Sequence, residues 1–113
     1  MQIIIETIKL DELKKLSANT FGNMIKAVVD IEKELLAVDA ELHSDLEAML
    51  LEDGSHQHSL WGINLYPQMT GDDFIEFDSM INLRPSQGNL SRGVEDKNVR
   101  QAIITIVRKK VTA

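Results

Sequence analysis

The pattern of hydrophobic and polar positions predicts most helices and strands of this chain. Gln2–Ile8 carries four isoleucines in seven positions, which predicts a buried or half-buried strand. Leu10–Phe21 predicts a helix, because leucines three residues apart share one face and Gly22 provides a suitable stop. Glu95–Val111 predicts the last helix, with acidic residues at its start and basic residues at its end that complement the helix dipole.

The segment Met24–His43 is compatible with two structures, and its residues alone leave both open. Apolar side chains recur at three- and four-residue spacing, and the local composition favours a helix. Apolar residues also alternate in two runs, Ile25–Ile31 and Leu36–Leu42, which predicts a hairpin that turns near Lys33. Both interpretations continue into a helix over Ser44–Glu52.

Two further segments alternate clearly between apolar and polar residues. Leu60–Tyr66 and Phe74–Leu83 each predict a strand, and the seven residues between them suit a hairpin loop. One side of each strand is apolar and the other is mostly polar, as in an antiparallel sheet that is covered on one face. We therefore expect an α+β fold, with a small single-layer, mainly antiparallel sheet and the helices packed on one face.

Length and composition limit the classes of protein to consider. At 113 residues, the chain is expected to form one globular domain over residues 1–113. Its 12 basic and 18 acidic residues give a net charge of −6, which argues against binding to nucleic acid or to an anionic membrane. The absence of cysteine excludes disulfides, thiolate zinc sites and cysteine nucleophiles. Neither a signal peptide nor an apolar run of about 20 residues is present, so we expect a soluble, cytoplasmic protein.

The loop after the last predicted strand is rich in hydrogen-bond donors, which predicts either an anion site or a structural turn stabilised by many hydrogen bonds. The candidate ligand-binding residues are Arg84, Ser86, Gln87, Asn89 and Arg92. Glu95 and Asp96 occupy the start of the following helix and would repel an anion there, so an anion site would depend on the two arginines and the loop amides. In the structural alternative, both arginines pair with carboxylates, while Ser86 and Asn89 satisfy the loop backbone.

Two other polar segments contain residues of the types that bind metals. Glu41, His43 and Asp45 could hold a divalent cation whether the segment is extended or helical, although such spacing is also common on a solvated acidic face. His56 and His58 could share a metal, but no third ligand lies nearby in sequence, which favours surface histidines. No nucleophile motif, phosphate-binding loop or dinucleotide fingerprint is present.

The chain resembles a family of small bacterial proteins of unknown function, about 110 residues long. The resemblance rests on the segments "LWGINLYP" and "IEFDSMINLRPSQGN", the latter followed by "SRGVED", and on "KAVVDIEKELLAVDAELHSDLEAMLLEDGS" before them. Relatives often have a pair of glycines at Asp39 and Ala40, which implies a hairpin over Lys26–His43 and the order β-α-β-β-α-β-β-α. Relatives tend to carry arginine at Leu90, so an anion site that uses this arginine would be weaker in this chain. The resemblance implies no reaction.

Two functional hypotheses follow. The first is a non-catalytic interaction or regulatory module, which could be a homo-oligomer, in which Trp61, Tyr66 and Phe74 contribute to a partner surface. The second is a small-ligand site or metal-assisted hydrolytic enzyme, in which the arginines clamp an anion and the segment Glu41–Asp45 supplies a cation site or an acid and base. No cofactor is predicted, and a divalent cation belongs only to the second hypothesis. The sequence favours the first hypothesis and leaves open whether the protein is an enzyme.

Overall fold

The computed structural model describes residues 1–113 and contains three helices, a five-stranded sheet and a small two-stranded sheet. The helices are α1 (Leu10–Ala18), α2 (His43–Glu52) and α3 (Lys97–Lys110). The strands are β1 (Gln2–Ile4), β2 (Ile8–Lys9), β3 (Ile25–Asp30), β4 (Leu35–Val38), β5 (Leu60–Leu65), β6 (Ile75–Glu76) and β7 (Val111–Thr112). The predicted α+β class and element order are confirmed, with β2 and β7 as short additional strands. None of the helices combines the length and apolar character needed to cross a membrane.

The five-stranded sheet is antiparallel throughout and has the order β1-β4-β3-β5-β6. The ambiguous segment before α2 is a hairpin, in which β3 and β4 pair from Ala27 opposite Val38 to Asp30 opposite Leu35. Asp39, directly after β4, has a φ of 75°. Glycine adopts this left-handed conformation most easily, which explains why relatives can carry glycine at this position.

Apolar residues cover both faces of the sheet. On one face, Ala27 and Val29 of β3 belong to the larger core, which also contains Leu13 of α1 and Ile103 of α3. Val28 points to the other face and packs in a smaller core with side chains of α2 and β5: Leu46, Leu50 and Leu60. The expectation that all helices pack on one face therefore does not hold for α2. The continuous apolar run of β3 reflects burial on both sides.

Two predicted strands are shorter than the pattern suggested. The first segment divides into β1, at one edge of the large sheet, and β2, which pairs in parallel with β7 through Ile8 and Val111. The last predicted strand pairs with β5 only at β6, through two residues. Beyond Glu76 the chain leaves the sheet and continues into a 3₁₀ turn over Met80–Asn82. The loop with the candidate ligand-binding residues follows this turn.

Candidate functional site

The loop after Asn82 is closed by its own backbone. A 3₁₀ turn over Pro85–Gln87 leads into Gly88, whose φ of 76° requires the left-handed region that glycine tolerates. Arg84 and Asn89 then face each other in an isolated antiparallel bridge, with the Arg84 amide donating to the Asn89 carbonyl over 2.9 Å. The loop is therefore a compact hairpin-like turn.

Two buried asparagines tie this loop to the rest of the fold. The Asn82 side chain accepts a hydrogen bond from the Gly62 amide (2.8 Å) and donates to the Gly62 carbonyl (2.9 Å), in the middle of β5. The Asn89 amide nitrogen donates to three carbonyls, those of Asn82, Ser91 and Gly93, and its side-chain oxygen accepts from the Glu95 amide. Asn82 thus anchors the loop on β5, and Asn89 fixes the approach to α3.

Arg84 lies beneath the loop and is only 9% exposed. Its guanidinium donates to the Leu60 carbonyl and contacts Glu47 of α2, with 3.4 Å between Nη2 and Oε2. The same group covers the Trp61 ring, with Cζ 4.9 Å from the ring centroid. Burial lowers the pKa of Arg84, while the nearby Glu47 carboxylate opposes this shift. These contacts are those of an internal brace between the loop, β5 and α2.

The other loop residues lie closer to the surface. The Arg92 Nε atom donates to Asp78 over 2.7 Å, so both arginines pair with carboxylates, as the structural alternative predicted. The Gln87 side chain donates to the His58 carbonyl (3.1 Å), and Ser86 is exposed. The side chains of Arg84 and Arg92 therefore do not meet on one open surface.

The predicted cation ligands near α2 are not brought together. The His43 ring is buried, and its Nε2 atom is hydrogen-bonded to the Ile63 carbonyl over 2.8 Å. Burial lowers the pKa of His43, which favours the neutral ring. Glu41 and Asp45 are exposed, and their ligand atoms do not form a cluster with that of His43. The helix instead contributes Glu47 to the loop.

A cavity of about 490 Å³ lies between the loop, the start of α3 and the segment before β5. Its lining residues are Ile31, His58, Trp61, Gln87, Gly88, Asn89, Glu95, Asp96 and Val99, and we call this cavity the loop pocket. The lining contains two carboxylates but neither lysine nor arginine. Trp61 is 5% exposed and packs in the larger core, while part of its side chain lines the loop pocket, and its indole N–H has no hydrogen-bond acceptor.

The carboxylates of the loop pocket also hold the backbone. Asp96 caps α3 by accepting from the amides of Asn98 and Val99, and Glu95 accepts from the Leu90 amide over 2.5 Å. These bonds fix the position of both carboxylates at the wall of the pocket.

Next to the loop pocket, the structure brings Glu32 together with His56 and His58. Glu32 comes from the turn between β3 and β4, 24 residues before His56, so this third ligand does not lie near the histidines in sequence. Only the predicted hairpin, placed beside the segment before β5, could have suggested this contact. Hydrogen bonds from His56 and Ser59 lower the pKa of Glu32, because they favour its carboxylate form.

Comparison with known proteins identifies the family of this chain but assigns no activity to it. No curated protein and no solved structure matches this chain. A family model matches residues 2–110, which is nearly the whole length and includes both the loop and the hairpin that lines its pocket. The chain therefore belongs to the family described as "Protein of unknown function (DUF5674)".

Proposed function

We propose that this protein is a non-catalytic interaction module whose loop pocket receives a basic side chain, lysine or arginine, of a protein partner. The observation that carries this proposal is the lining of the pocket, in which Glu95 and Asp96 face no lysine or arginine. A cation that enters this pocket gains attraction from two carboxylates, whereas an anion is repelled by both.

The positions of the arginines support the same conclusion. Arg84 is engaged by Glu47 and the Leu60 carbonyl beneath the loop, and Arg92 is engaged by Asp78 on the surface. An anion clamp would need both guanidinium groups to leave these partners. Freeing Arg84 would also leave the Glu47 carboxylate, which is 14% exposed, without its charge partner.

The size and composition of the loop pocket fit a side chain with an apolar stem and a charged end. A volume of about 490 Å³ lies within the range of small-molecule pockets, about 300–1,000 Å³, and leaves room for a lysine or arginine side chain. Ile31, Trp61 and Val99 supply apolar surface for the methylene stem, while Gln87 and the two carboxylates supply acceptors for its charged end.

A binding role is also consistent with the state of the histidines. His43 is hydrogen-bonded to a backbone carbonyl and His56 to Glu32, so neither is paired with a serine or threonine hydroxyl that it could activate. The chemistry near the loop pocket is that of recognition through charge and hydrogen bonds.

The proposal is tested by fluorescence titration, because Trp61 is the only tryptophan of the chain and lines the pocket. The probes are blocked tripeptides with arginine, lysine, glutamine or glutamate at the centre, together with inorganic phosphate. We expect saturable changes with the arginine and lysine peptides, and affinity at least fivefold weaker in Glu95→Gln than in the exposed control Asp72→Asn. Saturable binding of the glutamate peptide or phosphate, or equal affinity in both variants, would contradict the proposal. Sedimentation over a range of protein concentrations distinguishes a second copy of the chain from another partner.

A further inference from the structure

Three side chains of metal-binding types converge on the surface beside the loop pocket. The ligand atoms of Glu32, His56 and His58 all lie within 4.8 Å of one another, and the His56 Nδ1 atom is 3.1 Å from Glu32 Oε1. The two imidazole rings are stacked, with centroids 5.6 Å apart and planes inclined by 8°. No other group of three such side chains in the chain comes this close.

The two segments that carry these side chains are held together from below. Asp30 is fully buried, and its Oδ1 atom accepts from the amides of Glu32 and Lys33, both over 2.9 Å. Its Oδ2 atom accepts from the Ser55 hydroxyl over 2.6 Å, one residue before His56. One buried carboxylate therefore fixes the turn that carries Glu32 relative to the segment that carries the histidines.

Two more bonds strengthen this connection. The Ile31 amide donates to the Ser59 carbonyl over 3.0 Å, and the Lys33 ammonium donates to the Gly54 carbonyl over 2.9 Å. Hydrogen bonds thus flank the ligand residues on both segments. The backbone under the cluster is preorganised, and only exposed side chains must move to bring the three ligand atoms together.

The donor set has a clear chemical preference. Two imidazoles and one carboxylate suit zinc and similar first-row transition metals, whereas Mg²⁺ prefers oxygen ligands. With metal–ligand bonds of about 2.0–2.2 Å, ligand atoms in a tetrahedral zinc site lie about 3.3 Å apart. The bond between His56 and Glu32 already has a comparable length of 3.1 Å. The Ser59 hydroxyl donates to Glu32 over 3.2 Å and can orient this carboxylate from behind.

We propose that Glu32, His56 and His58 form a binding site for a divalent transition metal, with Zn²⁺ as the ion that the donor set fits best. Three protein ligands leave a fourth position for water or for a donor atom of a bound molecule. Since His58 also lines the loop pocket, this open position lies at the edge of that pocket. The site is distinct from the cation set predicted near α2.

The test is isothermal titration of the full, tag-free chain with Zn²⁺, because the three native histidines are then the only ones present. We expect one ion per chain, and at least tenfold weaker affinity in each of His56→Ala, His58→Ala and Glu32→Gln. The control is the double variant Glu41→Gln with Asp45→Asn, which removes the other predicted carboxylate ligands and should change the affinity less than twofold. Circular dichroism confirms that each variant is folded.

Titration with Co²⁺ adds a spectroscopic readout, since Co²⁺ in a tetrahedral site absorbs visible light much more strongly than octahedral aqueous Co²⁺. We expect this absorption in the wild type and its loss in His58→Ala. Wild-type affinity in any of the three ligand variants, or more than one weak ion per chain, would overturn the proposal. The exposed variant Asp72→Asn, outside both the loop pocket and the cluster, should bind Zn²⁺ within twofold of the wild type. Zn²⁺ binding by the three ligands does not depend on whether the loop pocket accepts a basic side chain, so failure of the interaction hypothesis would leave the metal titration unchanged.

Discussion

The Arg84 guanidinium lies over the ring of Trp61, with its Cζ atom 4.9 Å from the ring centroid. This contact directs the charge of the loop arginine into the protein, towards Glu47 and the Leu60 carbonyl, and away from the loop pocket. The loop, whose side chains are of the types that bind anions, therefore uses its first arginine to hold β5 and α2, while the lining of its pocket is acidic.

Loss of Arg84 should destabilise the protein strongly. Arg84→Ala removes a buried pair with Glu47 and leaves that carboxylate and the Leu60 carbonyl without their partner, which should cost about 3 kcal/mol in the free energy of unfolding. Arg84→Lys should recover little, because an ammonium cannot cover the Trp61 ring and reach both acceptors with a planar group. The matched control is Arg92→Ala, whose exposed pair with Asp78 should contribute less than about 1 kcal/mol. Urea unfolding measures all three, and equal losses for Arg84 and Arg92 would contradict this assignment.

The Asn82 side chain should contribute strongly to stability, because it makes two hydrogen bonds to the backbone of Gly62 in β5. Asn82→Asp keeps an acceptor for the Gly62 amide but removes the donor to the carbonyls of Gly62 and Arg92, and it places a charge at a fully buried position. We expect a loss of about 3 kcal/mol or more in the free energy of unfolding. The exposed substitution Asn98→Asp is the control and should have little effect. An Asn82→Asp protein with wild-type stability would refute the anchoring role.

Gly62 should tolerate no larger residue while Ser79 faces it. A β-carbon on Gly62 would lie 2.5 Å from the Ser79 β-carbon and 2.6 Å from its hydroxyl oxygen. Gly62→Ala should therefore cost about 1–3 kcal/mol. Replacing Ser79 by glycine in the same chain should recover part of this loss, giving a coupling of at least about 1 kcal/mol in a double-mutant cycle. Additive losses in the two single variants would show that the two residues do not meet.

Stability should fall in mild acid because of His43. Burial is the main cause that lowers the pKa of His43 in the folded state, and the charge of Lys26 acts in the same direction, while the hydrogen bond to the Ile63 carbonyl and the charge of Asp78 oppose it. The unfolded chain therefore takes up a proton as the pH falls through about 6.5, where the folded chain does not, and stability is lost from there downwards. His43→Gln should flatten this part of the curve, whereas His58→Gln should retain it. Denaturant unfolding between pH 7.5 and pH 5 measures the difference, and the same slope in both variants would contradict the prediction.

The sequence predicted the three helices well, because their apolar periodicity is dictated by burial. For the segment before α2 the same periodicity left helix and hairpin open, and only the family resemblance favoured the hairpin that the structure contains. The sequence predicted too long a strand after Phe74, since beyond Glu76 the polar side chain of Asn82 replaces the backbone pairing that alternation implies. The alternation of apolar and polar residues in β5 also predicted, wrongly, that only one face of the sheet is covered. The adjacent Ala27 and Val28 of β3, buried on opposite faces, were the better indication that a helix covers each side.

The candidate site was predicted only in part. Arg84 and Arg92 pair with carboxylates, as the structural alternative predicted, but their side chains lie apart, and Glu47 is 37 residues from Arg84 and could not be named from spacing. For the same reason, the contact between Glu32 and the two histidines could not be predicted from local spacing. Contacts between distant segments depend on how the strands are ordered in the sheet, which local patterns do not specify.

The most direct test of the proposed interaction site is an NMR titration of the ¹⁵N-labelled protein with a blocked tripeptide that has arginine at its centre. Trp61 supplies the only indole N–H resonance of the chain, and Gly88 supplies an amide from the loop that lines the pocket. We predict saturable shifts of both resonances with the arginine peptide and none with the matched glutamate peptide, while the amides of Gly71 and Asp72, outside this pocket, stay unchanged. Shifts with the glutamate peptide alone, or no shift at Trp61 and Gly88 with the arginine peptide, would contradict the proposal that the loop pocket recognises basic side chains.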